Sequence, residues 1–245
     1  MVMSRTERSS WERYAWIAGL VFVVAIIAET AISATLPINQ NDSAAKIARE
    51  LDAHSTAILV VVGFCVVYAA AFPIFLWKLY ALLGDNDELH ALAVLILVGG
   101  ALMVVLHATS DVGIYGMLGA KLASYSAHHD PGISYTLYLT TFAIDSVGDV
   151  FGSVFLLAAG LLAMREACLP RWLAIVALVA ALFLFLQAFG LGGVIATFGL
   201  VFDLLGFVLF LVFVAASSIV GLRRAGAAAR AVSSSATAGS SPVAP

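Results

Sequence analysis

The chain has 245 residues, 62% hydrophobic and only 11% charged, with a formal net charge of −3. Soluble domains carry about 25% charged residues, so this chain has too few to cover a globular surface, and its mean hydropathy of +1.05 makes lipid the solvent for much of it. The small net charge argues against nucleic acid as a partner, and Cys65 and Cys168, in separate segments, exclude a disulfide framework or zinc knuckle and predict two free thiols.

A span needs about 20 apolar residues, because the hydrocarbon core is about 30 Å thick and a helix rises about 1.5 Å per residue. Residues 1–14, with Arg5, Arg8 and Arg13, read as a cytoplasmic N-terminal segment ahead of a first apolar run over about 15–36. Ala31-Ile32-Ser33 resembles a cleavage site, but the run is longer than a signal-peptide core and carries Glu29, so a retained helix is expected. Asn41-Asp42-Ser43 then offers a cap for a short outer helix over about 43–53, whose Ile47 and Leu51 lie one turn apart on one face. This helix is expected to connect rather than to bind.

The second run, about 55–83, contains Pro73, which removes a backbone donor and should kink it. The third covers about 90–119; its Gly113, Gly116 and Gly119 suit helix packing, and Lys121 beyond them suits a solvated flank. The fourth covers about 135–164. Leu169-Pro170-Arg171-Trp172 restarts a helix, with Pro170 near its first turn. Runs over about 171–190 and 194–222 follow, joined by the uncharged Phe189-Gly190-Leu191-Gly192-Gly193, a tight turn or a break in a buried hairpin. Residues 223–245, mostly Ala, Ser and Gly, lack a core-forming pattern and read as a disordered cytoplasmic tail.

Unpaired strands would leave backbone groups unsatisfied in lipid, so the runs must be helices. The expected fold is all-α: a polytopic transmembrane helical bundle of six spans, about residues 15–222, in the plasma membrane. With the N-terminus inside, Arg5, Arg8, Arg13, Lys78, Arg165, Arg171, Arg223, Arg224 and Arg230 are cytoplasmic and only Lys46, Arg49 and Lys121 are outside, as the positive-inside rule requires. Both termini are then cytoplasmic. Trp11, Tyr14, Trp16, Trp77, Tyr80 and Trp172 fall near the inner interface, and Tyr115, Tyr125, Tyr135 and Tyr138 near the outer one.

Ionisable side chains are costly in hydrocarbon, so each one in a span is a candidate for function. Glu29, His107, Asp111, Asp145, Asp149 and Asp203 are such residues. At the helical rise Glu29 lies roughly 10 Å from the outer end of its span, Asp111 and Asp203 roughly 13 Å, and Asp145 roughly 15 Å. His107 and Asp149 lie about one turn deeper, so all six belong to the outer half. His107 and Asp111 share a helix face, as do Asp145 and Asp149 with Gly148 and Gly152; Gly199 and Gly206 flank Asp203, and Ser33 accompanies Glu29. Small residues mark the faces along which membrane helices pack, which predicts an inward-facing polar cluster. Acids that merely hydrogen-bond between helices are the bland alternative, and six at similar depth exceed what one such contact needs.

The residue types narrow the chemistry. Only His107 lies well inside a span, against a haem with paired axial histidines. His54, His128 and His129 could join it from the outer side, but without a recognised zinc spacing. No Gly-x-Ser-x-Gly elbow or Gly-rich phosphate loop is present. Carboxylates with one His suit a harder divalent ion or a proton relay. Three readings remain open: a protein that binds or moves a cation, proton or small solute; an enzyme using a divalent metal on a lipid-derived substrate; and a non-catalytic assembly or sensory protein whose acids meet a partner membrane helix or a second copy. No resident cofactor is specified.

Arg13-Tyr14-Ala15-Trp16-Ile17-Ala18-Gly19-Leu20, the outer Asp42-Ser43-Ala44-Ala45 helix start, Gly160-Leu161-Leu162 and Leu169-Pro170-Arg171-Trp172-Leu173 are short motifs spread along the chain. In these motifs the chain resembles a bacterial six-helix membrane family classed as a domain of unknown function. The resemblance covers most of the chain except the tail, implies the six-span architecture, and implies no catalytic residues. An inverted three-plus-three repeat would mirror the depths of the acids across the midplane; here they favour one half, so none is expected.

Overall fold

The computed structural model describes residues 5–83, 90–166, 169–190 and 196–238, and among these residues there are helices and short connections but no strand. The chain is a multi-pass helical membrane protein. Helix α1 covers Arg5–Ser33, α2 Ala44–Ala53, α3 Ser55–Leu83 and α4 His90–His107. The α4 rod continues as a π-helical stretch Ala108–Ile114, a short α5 Tyr115–Met117, a second π stretch Leu118–Leu122, and α6 Ala123–His128. Then come α7 Pro131–Glu166, α8 Arg171–Gly190 and α9 Ala196–Ala238.

Among the described residues, five segments are long and apolar enough to cross a membrane: Trp11–Ser33, Ser55–Leu83, His90–His128, Pro131–Glu166 and Val201–Ala227. Helix α8 is the shorter apolar helix, with Arg171–Gln187 as its apolar part. Its predicted connection to α9 includes Leu191, Gly192 and Gly193, which lie outside the described residues, as does Cys168. Cys65 is a free, buried thiol.

Local chemistry explains the boundaries. The Ser43 hydroxyl accepts from the Lys46 N–H at 3.4 Å and caps α2. Just before it, the Asp42 carboxylate accepts from the Asn39 N–H and pairs with the Lys46 ammonium, both at 2.9 Å. Lys46 first, and then the Asn39 N–H, hold this partly exposed carboxyl below the usual aspartate range. Helix α7 starts at Pro131, earlier than position 135, because proline suits a first helical turn and the Asp130 side chain accepts from the Gly132 N–H at 2.9 Å. Helix α3 runs through Pro73 without ending, and that ring is exposed on the outside of the bundle.

One expectation is corrected at the end of the chain. Residues 223–238 continue α9 as helix rather than forming a disordered tail. Alanine, the strongest helix former, dominates Ala225–Ala231 and needs no packed face to continue a helix already nucleated. Residues 239–245 lie outside the described residues.

The six long rods form a closed ring in which α1 packs on α3, α3 on α4, α4 on α7, α7 on α8, α8 on α9, and α9 back on α1. Glycine sets the close approaches. A Cβ on Gly99 of α4 would lie 2.8 Å from the Phe155 nitrogen and 2.9 Å from the Phe151 carbonyl of α7, so only glycine allows these two backbones to meet. At the α7–α8 seam a Cβ on Gly160 would lie 2.9 Å from the Leu178 side chain and 3.1 Å from the Ala174 carbonyl. Outward faces are apolar: Val24 is 66% exposed and Leu204 60%, surface that only lipid or another helix would accept.

The middle of the ring is filled with phenylalanine. Phe22 of α1, Phe72 of α3, Phe155 of α7 and Phe210 of α9 are buried and interlocked, with Phe22 and Phe72 centroids 4.7 Å apart and Phe22 and Phe210 edge to face at 5.7 Å. Helix α2 closes over one end of the ring, burying Ile47 and Leu51 against Ile58, Leu118 and Tyr138. That end is called the α2 end below.

Candidate functional site: a central acid-lined cavity

A cavity of about 120 Å³ lies inside the ring, on the α2 side of the phenylalanine core. All six rods line it. Phe22, Ile26 and Glu29 come from α1, Tyr68 from α3, and Met103, Val104, His107 and then Asp111 from the α4 rod. Asp149 comes from α7, Leu184 from α8, and Asp203, Phe207 and Phe210 from α9. Along α1 the order toward the α2 end is Phe22, Ile26, Glu29; along the antiparallel α9 it is Phe210, Phe207, Asp203. The cavity is therefore apolar and aromatic at its inner end and acidic toward the α2 end. Among the described residues no lysine or arginine lines it.

Five of the six residues singled out by depth and spacing meet here: Glu29, His107, Asp111, Asp149 and Asp203. Asp145 does not line the cavity. It lies one turn nearer the α2 end than Asp149, within electrostatic reach of Asp111 and His107, and its Oδ1 is buried with no hydrogen-bond partner among the described residues.

Hydrogen bonds tie these groups to neighbouring rods. The Tyr68 hydroxyl of α3 donates to Asp111 Oδ2. Asp111 sits in the Ala108–Ile114 π stretch, and such widened turns recur at functional sites. On the other side of the rod, His107 Nε2 lies 3.5 Å from Asp149 Oδ1, an ion pair when the ring is protonated. His107 Nδ1 is 2.9 Å from the Met103 carbonyl, which requires its N–H there. Asp149 Oδ2 accepts from Gln187 Nε2 of α8 at 2.9 Å. A polar belt thus runs from α4 through α7 to α8, beside the separate α3–α4 link.

Glu29 is held within its own helix, accepting from the Ser33 hydroxyl at 2.8 Å and the Thr30 hydroxyl at 3.1 Å. Asp203 has no hydrogen-bond or ion-pair partner among the described residues. Among the described residues no cavity acid is bridged across the α8–α9, α9–α1 or α1–α3 seams, so α9 and α1 form the unbridged side of the ring.

The glycine stripe beside the acids has a specific use. A Cβ on Gly148 would lie 2.5–2.6 Å from the His107 ring, so the imidazole lies flat against the α7 backbone. Gly152 receives Met103 and Gly206 receives Leu184 in the same manner. Gly113, by contrast, meets nothing within 4 Å.

His54, His128 and His129 do not join His107. Each ring nitrogen pairs with a carbonyl four residues back: His54 with Glu50, His128 with Ser124, and His129 with Tyr125. Helix geometry thus satisfies them locally. Among the described residues no three His, Cys, Asp or Glu side chains gather as a metal ion would need.

Two participants escape a search for charges alone, Tyr68 and Gln187. Both are polar groups inside apolar runs, at a depth that matches the acids they serve. Comparison of the chain with protein-family models, with curated proteins and with solved structures finds no match.

Proposed function

We propose that this chain is a six-span plasma-membrane protein of the bacterial unknown-function family it resembles, which binds and moves a cation, proton or small solute through its central cavity. The carrying observation is that five of its intramembrane ionisable residues line one cavity at the centre of a closed ring, with no basic side chain other than His107 among them. Acids facing lipid would instead favour a partner helix or an assembly role. A metal-dependent enzyme is the weaker reading, since no ligand set gathers among the described residues.

The six-span topology rests on α8. Its 20 residues at about 1.5 Å each reach about 30 Å, the thickness of the hydrocarbon core. An even number of spans puts both termini on one side, and the basic residues make that side the cytoplasm. Reporters fused at each end should both read cytoplasmic; opposite readings would leave α8 as a buried half-span.

In this reading Asp111 and Asp149 carry or coordinate the moving charge, His107 relays it, and Asp203 faces the passage. The purified chain in liposomes should show cation or proton uptake driven by an imposed gradient. D111N and D149N should each lower that uptake by at least about tenfold, about 1.4 kcal/mol, while inserting normally. Equal uptake by wild type and both variants would overturn the reading.

A further inference from the structure

We infer that the cavity is a receptor for a small organic ammonium ion, a single positive charge on an apolar or aromatic body, with Asp203 as its anchor. The inference deepens the reading above and rests on it. Four observations lead to it, each narrowing the ligand further.

The first is charge. Every cavity acid but one is already answered: Asp111 by Tyr68, Asp149 by His107 and Gln187, and Glu29 by two hydroxyls of its own helix. Asp203 alone has no partner among the described residues, although it lines the cavity with its neighbour Phe207. An ionised carboxylate in a low-dielectric site is costly unless a cation meets it. A single positive charge bound beside Asp203 would let that carboxylate stay ionised there.

The second is the wall. A proton path needs polar groups and water along its length, whereas most of this lining is hydrocarbon: Phe22, Ile26, Val104, Leu184, Phe207 and Phe210. Apolar surface of that extent rewards an apolar ligand body. The third is the ring system. Phe22 and Phe210 meet edge to face at 5.7 Å, and both line the cavity together with Phe207. Phe207, one helical turn from Asp203 on α9, is the ring placed to meet the ligand's charge, and Phe22 and Phe210 at the inner end meet its apolar body.

The fourth is size. The space is about 120 Å³, near the roughly 150 Å³ of an apolar cavity that takes up benzene. Among the described residues no three side chains gather to give a divalent metal the ligand number it needs. An anion would meet four carboxylates, and the one basic group in the lining, His107, is already set against Asp149.

Benzylammonium is a suitable probe, with benzyl alcohol as its uncharged counterpart and sodium and calcium as inorganic ones. Binding is measured by calorimetry on the full chain in detergent. Benzylammonium should bind saturably at one per chain, and benzyl alcohol at least about tenfold more weakly. D203N should lose at least about tenfold in benzylammonium affinity and D203E should recover most of it. F207L, which keeps an apolar wall but removes a ring, should weaken benzylammonium more than benzyl alcohol.

Equal binding of the alcohol and the ammonium by the wild-type chain would overturn the inference without recourse to any variant. So would undiminished benzylammonium binding by D203N. If benzylammonium does not bind while acid-dependent uptake of protons or sodium persists, this inference fails and the proposed function stands. If D111N and D149N leave uptake unchanged, the proposed function itself fails.

Discussion

Tyr68 holds Asp111 by a hydrogen bond that crosses from α3 to the π stretch after α4, where water has little access to replace it. Hydrogen bonds to charged groups contribute about 1.5–3 kcal/mol, so Y68F should lower the thermal unfolding midpoint in detergent and leave Asp111 with one donor fewer. An unchanged midpoint would mean that Asp111 finds another partner at no cost. Asp42 behaves differently, because it is a partly exposed surface group whose depressed pKa comes from Lys46 and the Asn39 N–H. A carboxyl with a folded pKa below its unfolded value contributes stability that is present above the unfolded value, near 3.9. That contribution is lost as pH falls through the folded value. Hydrogen exchange in α2, corrected for intrinsic rates, should therefore lose protection on acidification toward pH 3, and D42N should abolish that dependence.

Helices α4 and α7 approach so closely that Gly99 faces backbone atoms of Phe151 and Phe155 rather than yielding side chains. G99A should push the two helices apart at a cost of about 1–3 kcal/mol, the usual range for overpacking, visible as a lower unfolding midpoint. Gly148 presses on a side chain instead. In G148A the new methyl would displace the His107 ring from the α7 surface and with it the approach to Asp149. Its uptake should therefore match that of H107A; wild-type uptake in G148A would show that the ring can shift without loss. The packing role of Gly148 and Gly152 was legible in the sequence because they share a face with Asp145 and Asp149. The π stretch at Ala108–Ile114 was not, since no residue type encodes a wider turn. It arises where the rod must aim Asp111 at Tyr68 on one side while His107 meets Asp149 on the other.

At the scale of the whole molecule, composition alone made the helical membrane class readable, because so few charged residues leave no other solvent than lipid. Helix rise turned chain position into depth, and for Glu29, His107, Asp111, Asp149 and Asp203 depth and face together were enough to anticipate one shared space. They could not separate Asp145 from Asp149, since four residues keep a face but change the level by a full turn, and the cavity wall passes between the two. Tyr68 and Gln187 remained hidden because neither carries a charge to mark its cost in lipid. The ring order was equally out of reach, being a property of which rods touch rather than of any one rod. That order has a consequence for biogenesis. The ribosome delivers α1 first and α9 after all its neighbours, so the polar links from α3 to α8 can form while the wall opposite them is still missing. Phe207 and Asp203 arrive only with α9, which must slot between α8, made just before it, and α1, made before the other five rods. A chain arrested before that step already contains four of the five ionisable cavity residues but encloses no space, so occupancy of the cavity reports that assembly has finished.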